Sequence, residues 1–270
     1  MTTEPARPSR ERYGPGYEAR AHELMTERTA ARFADYVLPH LRRGMRLLDV
    51  GCGPGAITLD LAEAVSPGET VGVDIAPVQV ERARALAVER GVAGVRFEPA
   101  DAYALPFPAA SFDVVVATNL LQHLGDPPRA LREFRRVLRP GGLAAVTDPD
   151  WTWRVFEPPD PRLEQLNELW VRAFAHNGGS PGYARTLRRL PLEAGFARAE
   201  VDPRLPPMPP AAYARDAGTA LQLLAGTILG QGWADAAELD AIAAALATWG
   251  QRPDAQVLFV IHRAIGWVDA

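Results

Sequence analysis

The sequence predicts an α/β fold in which a mostly parallel β-sheet carries helices on both faces. From Arg46 onwards, short apolar segments alternate with helical segments, as repeated strand-helix units do. The segment 112–118 is almost continuously apolar, which is typical of a central parallel strand that is buried on both faces. Polar motifs follow several strands directly, at the carboxyl ends where such sheets bind ligands.

Changes of periodicity and turn residues delimit the predicted elements. Strands are predicted for the short apolar segments at 46–50, 70–75, 94–98, 112–118, 143–147, 197–201 and 257–265. Helices are predicted for the segments at 19–41, 56–65, 77–90, 128–138, 161–175 and 184–192. Pro77 stands in the first turn of its helix, where proline is favoured, and Gly91 ends that helix.

Composition and charge narrow the class of protein. The chain has 270 residues and a net charge of −4, which gives no overall basic surface for nucleic acid. A single cysteine, Cys52, excludes an internal disulfide framework and predicts a cytoplasmic location. The start of the chain lacks the apolar core of a signal peptide. The sequence contains no run of about 18 apolar residues, so we expect no membrane span.

A glycine-rich loop lies between the first predicted strand and its helix. It has the spacing Gly51-x-Gly53-x-Gly55, and glycine permits positive φ and close approach of a ligand to the backbone. The start of the following helix offers unpaired N–H groups and a positive dipole end, which suit a carboxylate. The alternative is a tight turn without a ligand.

Two acidic residues follow later strands. Asp74, 21 positions after Gly53, can accept hydrogen bonds from both hydroxyls of a ribose, or it can cap the helix that begins at Pro77. Asp101 can accept a bond from an adenine amino group with the backbone of Ala102 beside it, or it can be an ordinary turn residue. Ile75 is either an apolar wall for an adenine or a core residue.

The loop differs from the dinucleotide fingerprint Gly-x-Gly-x-x-Gly. Here the third glycine comes one position earlier, and residue 56 is alanine. Asp49 beside the loop would also repel a pyrophosphate, whereas it is compatible with a cationic ligand. The sequence therefore argues against a nicotinamide cofactor.

These motifs together resemble the class I S-adenosylmethionine-dependent methyltransferases, in the style of the small-molecule and ubiquinone/menaquinone-biosynthesis branch. The motifs are 48–55, 72–75, 99–101, 111–113 and 138–142. The resemblance is close over about residues 30–150. It implies a Rossmann-like sheet of seven strands with an antiparallel last strand, and S-adenosylmethionine as the cofactor. Cofactor-binding residues are then expected at Tyr17, Asp49, Gly51, Cys52, Gly53, Gly55, Asp74, Ile75, Gln79, Asp101, Ala102 and Asn119.

The resemblance and the sequence pattern also predict how the chain is divided into domains. We expect an N-terminal arm and lid helix at 1–40 and a cofactor-binding core at 41–205 and 253–270. The stretch 206–252 interrupts the sheet with a proline-rich entry and two helices rich in Ala and Leu. We interpret it as a helical cap inserted over an acceptor pocket. The oligomeric state is left open, with a homodimer as one option.

Residues beyond the cofactor motifs define a candidate acceptor site. His123, after the fourth strand, and His22, on the first helix, are the candidate catalytic residues, with a structural role as the alternative for His123. Trp151, Trp153, Phe156 and His176 are expected to line the pocket, with core packing as the alternative for the aromatic residues and helix capping for His176. Asp148 and Asp150 resemble the paired carboxylates that bind the metal ion in metal-dependent catechol methyltransferases. Those enzymes also need an acidic ligand after the fourth strand, where this chain has Thr118 and Asn119, so no metal is expected.

Two functions follow from this sequence. The first is transfer of a methyl group to oxygen, nitrogen or carbon of a small molecule, in natural-product or quinone-like biosynthesis. The second is a protein of the same fold that binds S-adenosylmethionine without methylating, such as a pericyclase-like catalyst or a binding module. Both would retain the glycine loop, so the sequence does not separate them.

Overall fold

The computed structural model describes residues 25–26 and 28–270 of the chain. Within them, seven strands form one sheet in the order β3-β2-β1-β4-β5-β7-β6. The strands are β1 (Leu47–Val50), β2 (Thr70–Asp74), β3 (Val95–Pro99), β4 (Phe112–Thr118), β5 (Leu138–Glu157), β6 (Arg198–Arg204) and β7 (Gln256–Trp267). Strand β7 runs antiparallel to both of its neighbours, and the other paired strands are parallel. The predicted fold class is confirmed.

Helices connect most of these strands. They are α1 (Ala30–Phe33), α2 (Ala56–Val65), α3 (Pro77–Arg90), α4 (Pro127–Val137), α5 (Pro161–His176), α6 (Arg189–Glu193), α7 (Pro210–Gly230) and α8 (Ala236–Trp249). Three short 3-10 helices lie at Leu38–His40, Leu121–His123 and Tyr183–Thr186. Within the part of the chain that the structure describes, no helix combines the length and the hydropathy that a membrane span requires.

The sheet is covered on both faces because successive residues of a strand point to opposite sides. On one side, Leu47 of β1 belongs to a buried cluster with Ile57 and Leu61 of α2. On the other side, the adjacent Leu48 belongs to a buried cluster that includes Phe134 of α4. Burial on both faces explains why these strands have continuous apolar sequences rather than alternating ones.

Strand β5 is much longer than the predicted strand at 143–147. It pairs with β7 from Leu143 to Asp150, and the pairing resumes at Arg154 and continues to Glu157. Residues 151–153 form a bulge between the two paired stretches. The two strands therefore leave the sheet as an antiparallel ribbon, which carries the chain beyond the cofactor-binding half.

Three helices pack around the end of this ribbon. Helices α5, α7 and α8 contribute Leu166, Leu224 and Ile242 to one buried cluster, together with Phe156 and Phe259 of the ribbon. The predicted cap at 206–252 contains α7 and α8, and the structure adds α5 to the same helical layer. The role of this layer as a cap over an acceptor pocket stays a prediction.

Two helix predictions need correction. The predicted helix at 19–41 is interrupted after Phe33 and gives way to a 3-10 turn, because Pro39 in a continuing helix would clash with the carbonyl of Asp35. The predicted helix at 184–192 is divided into a 3-10 turn and α6, where Pro191 lacks the N–H that a continuous helix needs. The arm, the first part of the predicted helix and residue 27 lie outside the described residues.

At Gly55 the loop after β1 packs closely against α3 and β3. A Cβ atom there would lie 2.9 Å from Cβ of Ala83 and 2.9 Å from Cζ of Phe97, at a φ of +86°. We expect Gly55→Ala to lower the free energy of unfolding by about 3 kcal/mol, because left-handed strain and overpacking add. Urea unfolding followed by fluorescence measures this loss.

Gly91→Ala is the matched control. Gly91 has a φ of +64°, and a Cβ atom there would meet nothing within 4 Å. The backbone strain alone should therefore cost about 1 kcal/mol. Equal losses for the two variants would contradict the packing argument.

Candidate active site

The loop between β1 and α2 is a cradle of backbone groups. Gly51, Gly53 and Gly55 all have positive φ, at 74°, 54° and 86°. The loop is tied to β2 because the N–H groups of Gly51 and Cys52 both donate to the carbonyl of Val73, at 2.8 and 3.0 Å. In the described part of the chain no side chain caps α2, so the N–H groups of its first turn can meet an anion such as a carboxylate.

Asp74 joins the end of β2 to this loop. Its Oδ2 accepts from the N–H of Gly53 at 3.0 Å, and its Oδ1 accepts from the N–H of Ala76 at 2.9 Å. A carboxylate has about four lone-pair positions. Both oxygens therefore keep capacity for hydroxyl donors, and Asp74 holds the turn before α3 at the same time.

Asp49 is a buried carboxyl group behind the loop. It is 3% exposed, and its Oδ2 accepts from Oγ1 of Thr58 at 2.6 Å. Burial raises the pKa of Asp49 to about 6, the Thr58 hydrogen bond opposes that rise, and the charge of Asp74 adds to it. A positively charged ligand would reverse this rise, because it favours the ionised form. Burial also raises the pKa of the Cys52 thiol, which is therefore a packing group rather than a nucleophile.

Residues after β2 and β3 form the side of the site predicted for adenine. Ile75 is 41% exposed, so it is not a core residue. Gln79 is buried, and its Oε1 has no hydrogen-bond partner among the described residues. Asp101 is half-buried, with its Oδ1 accepting from the N–H of Tyr103 at 3.0 Å, and Ala102 is buried. These residues could contact a flat ligand that has polar groups along its edges.

The segment after β4 faces the glycine loop. A Cβ atom at Gly51 would lie 2.8 Å from Cδ1 of Leu120, so the two segments are in direct contact. Asn119 has a φ of +54°, which is uncommon for a residue other than glycine and concentrates at functional sites. The backbone N–H of Asn119 donates to the carbonyl of Thr147 at 2.7 Å, which fixes the segment to β5.

Two side chains of this segment connect it to the helical layer. Gln122 is 3% exposed; its Nε2 donates to the carbonyl of Asn119 at 3.3 Å, and its Oε1 accepts from Nε1 of Trp151. The ring of His123 stacks on Phe174 of α5 at 5.1 Å. Burial, with a smaller contribution from the charge of Arg28, lowers the pKa of His123 to about 3. The imidazole is therefore neutral at physiological pH.

An aromatic cluster continues from this point towards α7. Trp151 lies 5.9 Å from Phe174 and stacks on Trp170 at 5.0 Å. The guanidinium of Arg154 lies over the rings of Trp151, Trp170 and Tyr213, at 4.9, 5.0 and 5.6 Å. Burial raises the pKa of Tyr213, whereas the charge of Arg154 lowers it. We call Trp151, Arg154, Trp170 and Tyr213 the ring cluster.

Arg154 is one of two residues of this site that the sequence analysis did not identify. Its Nε, Nη1 and Nη2 atoms are buried, and none has a hydrogen-bond partner among the described residues. Burying an unpaired charge costs several kcal/mol, and a cation–π contact returns about 0.5–2 kcal/mol. The aromatic residues around position 154 are the signal that could have found it, although arginine side chains are usually exposed. Gln122 was also missed, because glutamine after a strand has no distinctive pattern.

The structure places the four predicted pocket residues in different surroundings. Trp151 lies beside Phe174, as described. Phe156 lies in the core of the helical layer, with ring contacts to Tyr213 and Trp249 at 5.8 and 5.6 Å, which is the packing alternative. Trp153 is 42% exposed, and His176 is exposed at the end of α5 with its ring 5.5 Å from Trp233. Tyr17 and His22 lie outside the described residues.

The two aspartates of β5 have protein partners or are buried. Asp150 accepts from Thr152 through Oδ1, and from Nε of Arg185 through Oδ2 at 2.9 Å. Asp148 is fully buried, and burial raises its pKa well above the usual value. Among the residues that the structure describes, no group of three or more His, Cys, Asp or Glu side chains is placed to hold a metal ion.

Comparison with known proteins decides the family. Residues 41–189, more than half of the chain, match the sequence model of the family described as Methyltransferase domain. The chain belongs to the class I S-adenosylmethionine-dependent methyltransferase family. The matched range begins before β1 and ends within α6, so it covers the glycine loop, Asp74 and the segment after β4.

Named relatives support this methyltransferase assignment. The chain is 44% identical over 162 residues to a nocamycin O-methyltransferase of Saccharothrix syringae, covering 60% of this chain and 55% of the relative. It is 46% identical over 132 residues to a 27-O-demethylrifamycin SV methyltransferase of Amycolatopsis mediterranei, covering 48% and 47%. The chain thus spans about half of each of these two relatives. The crystal structure of the [4+2]-cyclase SpnF is similar, with 26% identity, a TM-score of 0.55, and 93% of this chain and 80% of that chain covered.

The residues of this methyltransferase fit S-adenosylmethionine, the cofactor of its family. The uncapped start of α2 suits the methionine carboxylate, and buried Asp49 suits a cationic group. Asp74 keeps acceptor capacity for ribose hydroxyls, and the unpaired Oε1 of Gln79 can accept a further donor. We infer that these groups hold the cofactor.

Asp49 predicts a pH dependence of cofactor binding. Its pKa near 6 lies above the usual aspartate value, so the protonated form predominates below pH 6 and the ionised form above it. A cationic cofactor favours the ionised form, so affinity for S-adenosylmethionine should fall about tenfold between pH 7 and pH 5. Titration calorimetry at several pH values measures the slope.

Asp49→Asn is the control for this slope. The variant should bind S-adenosylmethionine more weakly at pH 7, with a smaller change of affinity between pH 5 and pH 7. The contribution of Asp74, whose pKa burial also raises, would remain in the variant. An undiminished slope would show that Asp49 does not sense the cofactor.

Proposed function

We propose that this chain transfers the methyl group of S-adenosylmethionine to an oxygen, nitrogen or carbon atom of a small molecule. The observation that carries the proposal is the contact between the glycine loop and the segment after β4, where Gly51 meets Leu120. The contact brings the glycine loop next to the segment that carries Gln122 and His123, and Gln122 accepts a hydrogen bond from Trp151 of the ring cluster. A donor site and an apolar aromatic acceptor site would thus be adjacent.

Bound S-adenosylmethionine supplies a methyl group that is already activated by a positively charged sulfur. The remaining task of the protein is to hold the acceptor in line and to exclude water, and orientation alone can contribute about 7–11 kcal/mol. Trp151 and Phe174 offer flat apolar surfaces for this purpose, and the hydrogen bond from Trp151 to Gln122 fixes the orientation of the indole. These groups position an acceptor without forming a covalent bond to it.

His123 is suited to positioning rather than to proton transfer. A general base works best when its pKa is near the working pH, and the pKa of His123 is about 3. Its stacking on Phe174 places the ring at the boundary between the segment after β4 and α5. We propose that it shapes the acceptor site from the cofactor side.

The relatives support a small-molecule acceptor. One is named for O-methylation of nocamycin and the other for methylation of 27-O-demethylrifamycin SV. We therefore place this chain in natural-product biosynthesis rather than in modification of nucleic acid, and its overall charge of −4 agrees with that.

A non-methylating activity is the second candidate, and the similarity to the [4+2]-cyclase supports it. The two are distinguished by incubation with S-adenosylmethionine and a panel of phenols, amines and quinones, with S-adenosylhomocysteine measured by mass spectrometry. Methyl transfer predicts S-adenosylhomocysteine in proportion to a methylated product. Tight binding of S-adenosylmethionine with no S-adenosylhomocysteine for any acceptor would favour the second candidate.

Gly53→Val is the cofactor-binding control for this assay. Among the described residues, a Cβ atom at Gly53 would meet only Sδ of Met25, at 3.6 Å, so the packing described around the loop allows it. The isopropyl group would project from the loop at a φ of +54°, in front of the backbone groups expected to face the cofactor. We expect cofactor binding to be lost with a melting temperature within a few degrees of the wild type, and unchanged affinity would contradict the loop assignment.

The assigned role of His123 predicts the behaviour of His123→Asn. The loss of kcat should be less than about tenfold, whereas loss of a general base costs about 10²–10⁴-fold. The pH–rate profile between pH 6.5 and 9 should keep its shape, because His123 with a pKa near 3 does not titrate there. Disappearance of an ionisation from the profile of the variant would identify His123 as the base instead.

A further inference from the structure

The ring cluster contains buried hydrogen-bond donors that the protein does not satisfy. The Nε, Nη1 and Nη2 atoms of Arg154, the Nε1 of Trp170 and the hydroxyl of Tyr213 have no hydrogen-bond partner in the described part of the chain. No carboxylate lies within ion-pair distance of Arg154 in residues 25–26 and 28–270. Buried donors without acceptors are rare in folded proteins, so this group calls for an acceptor-rich partner.

Arginines on the sheet and beside it form ion pairs. Arg263, from β7, bonds both Asp35 and Asp202, and Arg185 forms a two-pronged contact with Asp150. The fold therefore supplies carboxylates to neighbouring guanidinium groups. Arg154 instead lies against three aromatic rings, and no carboxylate of the described residues pairs with its guanidinium.

We propose that Arg154 binds a carboxylate of the acceptor, and that the acceptor is an aromatic acid. The planar fork of a guanidinium matches the two oxygens of a carboxylate, and the indole N–H of Trp170 and hydroxyl of Tyr213 add donors to the same anion. The rings of Trp151 and Trp170 provide a surface on which a flat apolar body stacks. Asn167, one helical turn before Trp170, has an unpaired Oδ1 that suits a hydroxyl of the same ligand.

The position of the ring cluster makes Arg154 an anchor at a distance from the transferred methyl. Trp151 separates Arg154 from Phe174 and His123, and its indole N–H connects it through Gln122 to Asn119. An acid held by Arg154 would extend across Trp151 towards the segment after β4. Arg154 is thus a specificity-determining residue, and this inference rests on the proposed methyl transfer.

The first experiment uses the wild-type protein saturated with S-adenosylhomocysteine. Titration calorimetry compares 2-naphthoate with 2-naphthamide, which share a ring system and differ in charge. We expect the naphthoate to bind at least tenfold more tightly. Equal affinities, or no binding of either compound, would overturn the proposal.

Arg154→Met tests the residue itself, since methionine keeps much of the length of the side chain without the charge. The preference for naphthoate should fall below twofold while affinity for S-adenosylhomocysteine is unchanged. Arg172→Met is the matched control, because Arg172 is exposed on α5 and lies 4.7 Å from the ring of Trp233. It should keep the full preference, and a preference retained in Arg154→Met would overturn the assignment.

A stability measurement separates an anchor from a structural brace. If the unpaired charge of Arg154 is kept for a ligand, Arg154→Met should raise the melting temperature of the ligand-free protein by about 2–4 °C. A fall of that size would identify Arg154 as a packing residue and overturn the proposal. Failure of the proposed function would appear separately, as absence of cofactor binding or of S-adenosylhomocysteine formation.

Discussion

The antiparallel pairing of β5 with β7 is the constraint on which the two halves of this protein depend. From Leu143 to Asp150 the pairing completes the sheet that carries the cofactor residues, and from Arg154 to Glu157 it extends into the helical layer. Pairing satisfies the backbone groups on the facing edges of the two strands, so the ribbon leaves the sheet with only the groups on its outer edges unpaired. The bulge at 151–153 lies at the transition, and it places Trp151 and Arg154 between the two halves.

The local parts of this structure could be predicted from the sequence. The loop after β1 needs three left-handed residues, and glycine at 51, 53 and 55 reports that need directly. Asp74 and Asp101 follow strands whose apolar pattern is short and clear, so their place at one edge of the sheet follows from parallel topology. In each case the residues that predict the feature are the same residues that form it, or lie within a few positions of them in the sequence.

The parts that depend on distant pairing could not be predicted. The extension of β5 includes Pro149, which has no N–H and argues against a strand in any local interpretation, yet it pairs with Ile261 more than a hundred residues away. The placement of Arg154 depends on that pairing and on α5 and α7 packing around it. No property of the segment 151–156 distinguishes an arginine buried against rings from one exposed to solvent.

Unbalanced charges of opposite sign lie on the two sides of Gln122. On the side of the glycine loop, burial raises the pKa values of Asp49 and Asp74, and among the described residues neither has an ion-pair partner within the site. On the side of the ring cluster, the guanidinium nitrogens of Arg154 are buried, and no carboxylate of the described residues pairs with them. Each arrangement lowers the stability of the empty protein, because isolated charges are costly in a low-dielectric interior.

A site that binds a cationic methyl donor and an anionic acceptor would gain binding energy both from the buried carboxyl groups and from the buried guanidinium group. The cofactor would restore favourable ionisation of the carboxylates, and the acid would satisfy the guanidinium, so much of the stability missing from the ligand-free fold would be recovered as binding energy. The same polarity would disfavour an acceptor bound in the reverse orientation, since its carboxylate would then face Asp49 and Asp74. Charge would in this way determine the orientation of the acceptor, while the ring cluster would determine which acceptor shapes fit.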